Sequence, residues 1–267
     1  MPDSQSVILI TGASSGIGAA AARLFAQEGF RVALAARRLE RLQSLAQEIQ
    51  ASGGQALPVA ADVSSWEEMS SLVSTTLECF GQIDVLFNNA GFGRLKWLEE
   101  LDPQADIEPQ LCVNLLGEIL LARAVLPHMI ARRRGHIINM ASVAGLVATP
   151  TYTVYAATKF GVRGFTEALR REVGVYGIHV SAVYPGGVRT EFDEHAGIQR
   201  KTKKTTPPAL RLEPEDVARG VLGLVRRPRR ALILPWPMKF AVWMNDLFPS
   251  LMDWLVETNF VRPERGV

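Results

Sequence analysis

Short apolar runs rich in β-branched residues alternate along this chain with amphipathic stretches. "SVILIT" (6–11) reads as a buried strand. Residues 16–29 follow as a helix whose inner face takes Ala20, Leu24 and Phe25. "RVALAA" (31–36) is a second strand, 39–53 a helix that stops at glycine, 55–62 a third strand and 65–80 a third helix. Four more strands are expected at 83–91, 135–142, 178–186 and 230–235, with long helices near 103–131 and 152–176. Apolar strands separated by helices imply an α/β fold, a doubly wound parallel sheet of about seven strands covered on both faces. No internal repeat or low-complexity linker divides the chain, so residues 1–267 are expected to form a single domain.

Two stretches break the alternation. Residues 190–213 are polar, charged and interrupted by Pro207 and Pro208. They read as a substrate lid or as a solvated loop; their place after a strand's C-terminal end favours the lid. Residues 236–267 form an apolar C-terminal extension that holds Trp236, Trp243 and Trp254, three of the five tryptophans. Each such ring would bury on the order of 200 Å². Pro237, Pro249, Lys239, Asp246 and Asp253 interrupt the extension, so no uninterrupted run of about 18 apolar residues suits a membrane span. Closing a pocket or meeting another subunit is the first reading. Peripheral membrane contact, with "RRPRR" (226–230) toward acidic headgroups, is a second.

Composition narrows the classes. A net charge of +2 over 267 residues gives no field suited to nucleic acid. Cys79 and Cys112 match no metal or redox spacing, and the four histidines form no HExxH motif, so no metal is expected. The N-terminus lacks the basic and apolar regions of a signal peptide, which points to the cytoplasm.

Candidate chemistry begins at "TGASSGIG" (11–18), between the first strand and first helix. Gly12, Gly16 and Gly18 permit a tight turn and close backbone approach. The helix N-terminus then offers free N–H groups and partial positive charge to a pyrophosphate. The spacing is G-x-x-x-G-x-G rather than G-x-G-x-x-G, but its place after the first strand points to a dinucleotide. An NAD site usually has an acid at the end of the second strand for the ribose 2′-hydroxyl. "RVALAARRL" (31–39) has none there and carries Arg37 and Arg38 instead. Guanidinium groups suit a 2′-phosphate by charge and bidentate geometry, which favours NADP(H) over NAD(H); the other reading is two arginines that simply begin a solvated helix.

"VYAATKFG" (154–161) puts Tyr155 and Lys159 on one helix face. Moving a tyrosine pKa from about 10 to about 7 needs roughly 4 kcal/mol in favour of the phenolate. An ammonium at about 5 Å supplies roughly 3 kcal/mol at an effective dielectric of 20. The pair is thus suited to proton transfer if a cofactor lies beside it.

In order, "TGASSGIG", "NNAG" (88–91), Asn114 in "VNLLG", Ser142 in "INMASVAG", "YAATK" (155–159) and "PGGVRT" (185–190) resemble the short-chain dehydrogenase/reductase family over about 1–235. The resemblance implies a seven-stranded Rossmann sheet and a catalytic tetrad of Asn114, Ser142, Tyr155 and Lys159. It implies cofactor contacts from Gly12, Ser14, Ser15, Gly16, Ile17 and Gly18, and from Arg37 and Arg38. Asp62 and Val63 would border the adenine, and Asn89, Ala90 and Gly91 would line the cofactor. Pro185, Gly186, Val188 and Thr190, with Tyr155 and Lys159, would surround the nicotinamide end. Ser142 would hold the substrate oxygen near Tyr155, and Asn114 would brace a water beside Lys159. A homodimer or homotetramer through the helices near 103–131 and 152–176 is also implied.

The expected activity is an NADP(H)-dependent oxidoreductase moving a hydride between nicotinamide and a small-molecule carbonyl or secondary alcohol. Ketoacyl-carrier reductases of the family end soon after a "GQ…DGG"-like strand, whereas this chain continues through "RALILPWPMKF". That ending resembles members acting on lipid-like or steroid-like carbonyls. A ketoacyl thioester is the alternative substrate, kept open by the basic "RKTKK" (200–204), and a non-catalytic cofactor-binding regulator is the alternative class.

Overall fold

A computed structural model describes residues 6–192, 196–197 and 210–267. Among these, seven parallel strands form one sheet in the order β3-β2-β1-β4-β5-β6-β7. They are β1 (Val7–Thr11), β2 (Arg31–Ala36), β3 (Gln55–Ala60), β4 (Val85–Asn88), β5 (Gly135–Met140), β6 (Ile178–Pro185) and β7 (Ala231–Leu234). Ile8 pairs with Val32 on one side and Val85 on the other, so strand order reverses between β1 and β4. Ligands of open α/β sheets bind beyond the strand C-termini at that reversal.

The strands are apolar on both faces because helices cover both. α1 (Gly16–Gln27) buries Ala19 to Ala22 and Phe25 on one face of the sheet, beside α2 (Leu39–Ala51). α3 (Trp66–Phe80), α4 (Pro103–Arg132) and α5 (Thr153–Val173) cover the other. Ser65 caps α3 by accepting the Glu68 N–H at 3.2 Å, and Gly81 ends it at φ 76°. α4 has the length and composition of a membrane span. Its buried face, however, carries Gln110, Asn114 and Glu118 and then Leu121, Val125 and Met129 against the sheet.

A helix that the sequence pattern did not name, α6 (Pro214–Arg226), packs on α1. Its apolar positions Val217, Val221 and Leu224 have helical spacing, and Pro214 with Asp216 starts it. β4 is shorter than the expected 83–91, because the chain bends away at Asn89.

The extension forms α7 (Met238–Leu247) and α8 (Pro249–Val256), then a wide turn and a last short helix, Arg262–Arg265. Trp236, Trp243 and Trp254 are 75%, 52% and 57% exposed within the single chain. Phe240 and Leu247 share that exposed stripe. The end of the extension returns to the loop after β4, where Arg265 lies 3.7 Å over the Trp97 ring and pairs with Glu99.

Candidate active site

The glycine loop is built around three close approaches. Gly12 (φ 63°) has room for no side chain, since a Cβ there would meet the Ala90 Cα at 2.9 Å. A Cβ on Gly18 would lie 2.3 Å from the Gly12 carbonyl oxygen. Gly16 (φ 52°) abuts Thr190, whose Cγ2 lies 3.0 Å from the position of a Cβ. Thr11 joins this loop to the bend after β4: its Oγ1 accepts from the Asn89 and Ala90 amides, each at 3.0 Å. Asn89 Nδ2 returns a bond to the Thr11 carbonyl at 3.0 Å. Ile17 packs into the core beneath, and Ser15 at the start of α1 makes no side-chain cap.

The two arginines after β2 separate. Arg38 Nη2 donates to Ser14 Oγ at 3.1 Å and Ser15 Oγ at 3.0 Å, and its Nη1 meets Glu191 at 3.1 Å. Arg41 holds the other Glu191 oxygen at 2.6 Å. Arg37 is exposed on the Asp62 side. Burial raises the Asp62 carboxyl, but hydrogen bonds from Ser64 and the Arg37 charge outweigh it and hold the group below its ordinary value. Val63, after β3, is buried against Gly117 of α4. A cavity of about 390 Å³ opens along Ser14, Ser15, Gly16, Arg41, Thr190 and Glu191. Gly186 is tied to β7 through the Leu234 carbonyl at 2.7 Å, and Val188 pairs with Leu212. Thus the loop from Pro185 to Thr190 closes the cavity opposite α2. The remaining lid segments, including "RKTKK" and Pro207–Pro208, lie outside the described residues.

At the ends of β4 and β5 the four other candidates converge. Asn114 sits in a widened helical turn of α4, Cys112–Leu116, and is fully buried. Its Nδ2 donates to the Phe92 carbonyl at 2.7 Å while its Oδ1 accepts the Phe92 amide at 2.9 Å. Both bonds fix the backbone just after Gly91. Ser142, two residues beyond β5, accepts the Ala144 amide at 3.1 Å. It also acts on the Tyr155 phenol in favour of the ionised form. Tyr155, one turn into α5, is buried, with Phe192 edge-on at 5.4 Å and Tyr152 at 6.2 Å between ring centres. Leu95 and Ala196 complete this apolar wall.

Lys159 Nζ donates to the Met140 carbonyl at 2.6 Å and to Glu118 Oε1 at 3.2 Å. Glu118 is missing from the sequence-derived set. A signal for it existed: one acid in the apolar run "GEILLARAVL" (117–126), four residues after Asn114 and so on its helix face. The ion pair changes the expected electrostatics. Burial raises the Tyr155 pKa to about 12; Ser142 opposes this, and the Glu118 charge adds to it. Lys159 is thus paired with Glu118, a carboxylate that the sequence-derived Tyr–Lys pair did not include. With its pKa raised, the Tyr155 phenol holds its proton at neutral pH.

Known proteins resemble this chain in sequence and in fold. The short chain dehydrogenase family model matches residues 6–201. A bovine protein, dehydrogenase/reductase SDR family member 7B, is 32% identical over 98% of this chain and 83% of its own. A 3-oxoacyl-[acyl-carrier-protein] reductase from Synechocystis is 37% identical over 85% of this chain and 92% of its own. An alcohol dehydrogenase from Thermococcus sibiricus, solved with 5-hydroxy-NADP, superposes with TM-score 0.76 at 32% identity, covering 86% of this chain and 94% of that one. A short-chain dehydrogenase/reductase from Burkholderia phymatum, solved with NAD, gives TM-score 0.83 at 26% identity over 92% and 95%. The chain belongs to the short-chain dehydrogenase/reductase family of oxidoreductases.

Proposed function

We propose that the protein is an NADP(H)-dependent carbonyl reductase, working also as a secondary-alcohol dehydrogenase, on an apolar substrate of lipid-like or steroid-like character. The observation that carries this reading is that Ser142 and Tyr155 meet beyond β5, beside a glycine loop at the strand-order reversal that no side chain could enter. The residues present fit a dinucleotide. The α1 N-terminus has no side-chain cap, the loop glycines leave backbone exposed, and Arg38 with Ser14 and Ser15 forms a cluster suited to a phosphate. The cofactor would lie along Gly12 to Gly18, Arg37, Arg38, Asp62, Val63 and Asn89 to Gly91, reaching Pro185 to Thr190. When bound, it supplies the hydride.

The chain's own groups do the rest. Ser142 holds the substrate oxygen by a hydrogen bond, and Tyr155 gives that oxygen a proton. Asn114 keeps the segment after Gly91 in place, and Lys159 anchors the floor of the site through the Met140 carbonyl. Phe192, Tyr152 and Leu95 shape an apolar wall beside Tyr155, which favours an apolar substrate. The Synechocystis relative favours a second reading, a ketoacyl thioester. We further propose one domain that assembles as a homodimer or homotetramer through α4 and α5, where Leu111, Leu116 and Phe160 stand exposed. NADPH consumption against ketones, aldehydes, quinones and ketoacyl thioesters tests the reading. Turnover of apolar ketones above the others supports it; none on any carbonyl overturns it.

A further inference from the structure

Three consecutive residues after β6 touch three different parts of the site. Thr190 lies against Gly16 of the glycine loop, Glu191 pairs with Arg38 and Arg41, and Phe192 packs edge-on against Tyr155. The Thr190 hydroxyl accepts the Phe192 amide at 3.2 Å, which ties the three into one turn. Phe192 is wedged on its far side as well, since a Cβ on Gly93 would come within 2.7 Å of its Cζ. Packed among Phe192, Tyr152 and Leu95, Tyr155 is left 9% exposed. A substrate oxygen reaches the tyrosine only when this cover gives way.

Glu191 fixes where the turn sits. Its Oε1 accepts from Arg41 at 2.6 Å and its Oε2 from Arg38 at 3.1 Å, so one carboxylate bridges the loop after β6 to the start of α2. Bonds from Arg41 and Arg38 outweigh burial and hold the carboxyl below its ordinary value, so it is an anion at neutral pH. Two other arginines along the same cavity have acids of their own: Arg23 meets Glu48 at 2.7 Å and Arg189 meets Glu213 at 3.0 Å. Arg38 also donates to the Ser14 and Ser15 hydroxyls. Two guanidiniums and two hydroxyls thus surround the Glu191 carboxylate. A phosphate monoester suits the same donors and carries nearly twice the charge. It would compete with Glu191 for the arginines rather than bind beside it.

We propose that Glu191 is a positioning and specificity-determining residue: it occupies the two arginines that a ribose 2′-phosphate would take, and while it does so it holds Phe192 over Tyr155. Once a 2′-phosphate takes Arg38 and Arg41, Glu191 is released and the Phe192 ring is free to leave the tyrosine. The two ends of the site are thereby coupled through residues 190–192. The proposal rests on the reading of Arg38 as part of an NADP(H) site. Displacing the carboxylate weakens 2′-phosphate binding and leaves a cofactor with a plain 2′-hydroxyl unaffected, so Glu191 limits the preference that the arginines create.

The test needs no turnover. Adenosine 2′,5′-bisphosphate carries the phosphate in question, and adenosine 5′-monophosphate lacks it. By calorimetry, Glu191→Gln should bind the bisphosphate about three- to tenfold more tightly than the parent does, as expected for relief from two exposed ion pairs. Affinity for the monophosphate should not change. Phe192→Trp supplies the second readout, as a difference in emission from the parent with its five tryptophans. The bisphosphate should shift that emission to the red as the indole leaves Tyr155, and the monophosphate should not. In Phe192→Trp combined with Glu191→Gln, the free protein should already emit at the shifted position. A bisphosphate that binds the parent but gains nothing in Glu191→Gln would overturn the proposal while leaving the proposed function standing, as would Phe192→Trp emission indifferent to the bisphosphate. If Phe192→Trp does not fold, the calorimetric comparison decides alone. A parent that binds the monophosphate but not the bisphosphate would overturn the proposal and the NADP(H) reading together.

Discussion

Lys159 and Glu118 form an ion pair at 3.2 Å inside the protein, and the Glu118 carboxyl is pushed up to about 7 by its burial. Between the ordinary value of 4.5 and 7, the folded protein binds a proton at Glu118 that the unfolded chain lacks. Stability from this group is thus lost as pH rises through that window. His136 runs the other way. Burial, reinforced by His179, lowers it from 6.5 to about 3, so its contribution is lost as pH falls below 6.5. Comparing variants separates the two. The melting temperature of Glu118→Gln minus that of the parent should rise between pH 5 and pH 7.5. A flat or falling difference would contradict the raised carboxyl.

Glycines in this chain fall into two groups that mutation distinguishes. Gly18→Ala would drive a methyl group to 2.3 Å from the Gly12 carbonyl and 2.7 Å from Asn89 Nδ2. The loop and the bend after β4 must then separate, so cofactor affinity should fall at least tenfold. Gly223 of α6 and Gly164 of α5 have open space around a Cβ. Alanine at either should stabilise the protein by about 0.5–1 kcal/mol through the unfolded chain's lost freedom. Isothermal binding of NADPH and thermal melting check both halves.

Cofactor choice is predicted to rest on the arginines after β2. Arg38 already touches Ser14 and Ser15, and Arg37 stands free of the loop on the Asp62 side. A hydrogen bond to a charged group contributes about 1.5–3 kcal/mol, or roughly ten- to a hundredfold. Arg37→Ala and Arg38→Ala should each raise KM for NADPH within that range and leave KM for NADH nearly unchanged. Glu191→Gln should lower KM for NADPH, because Arg38 and Arg41 lose the carboxylate that now occupies them. Steady-state kinetics with both cofactors on one ketone measures this. Equal effects on NADH and NADPH would assign the arginines to the surface.

The sheet was legible because each strand is a short apolar run and each helix between them has a period near 3.6. Asn114, Ser142, Tyr155 and Lys159 were legible through spaced motifs, and the structure does bring them to one end of β4 and β5. What escaped were features set by tertiary contact. α6 lay hidden because its polar start, "LEPED", continued the charged lid. Glu118 looked like one acid on a long helix until folding placed it behind Lys159. The tyrosine's surroundings were legible only in part for the same reason, since sequence gives the neighbouring ammonium but not the carboxylate that pairs with it. The tryptophans of 236–267 were expected to close a pocket or meet another subunit; no described element of the same chain lies over most of their surface, and which of the two they do is set by contacts that sequence does not encode locally.

The central claim is that Tyr155 gives the substrate its proton in an NADPH-dependent reduction. Phenylalanine keeps the ring against Phe192 and Tyr152 but has no hydroxyl to donate. The most direct test pairs two measurements on Tyr155→Phe: NADPH affinity by fluorescence titration, and turnover of the best ketone substrate of the parent enzyme. Affinity should stay within about twofold, and turnover should fall by about two orders of magnitude or more. A Tyr155→Phe protein that binds NADPH normally and keeps more than a few per cent of parental turnover would contradict the account.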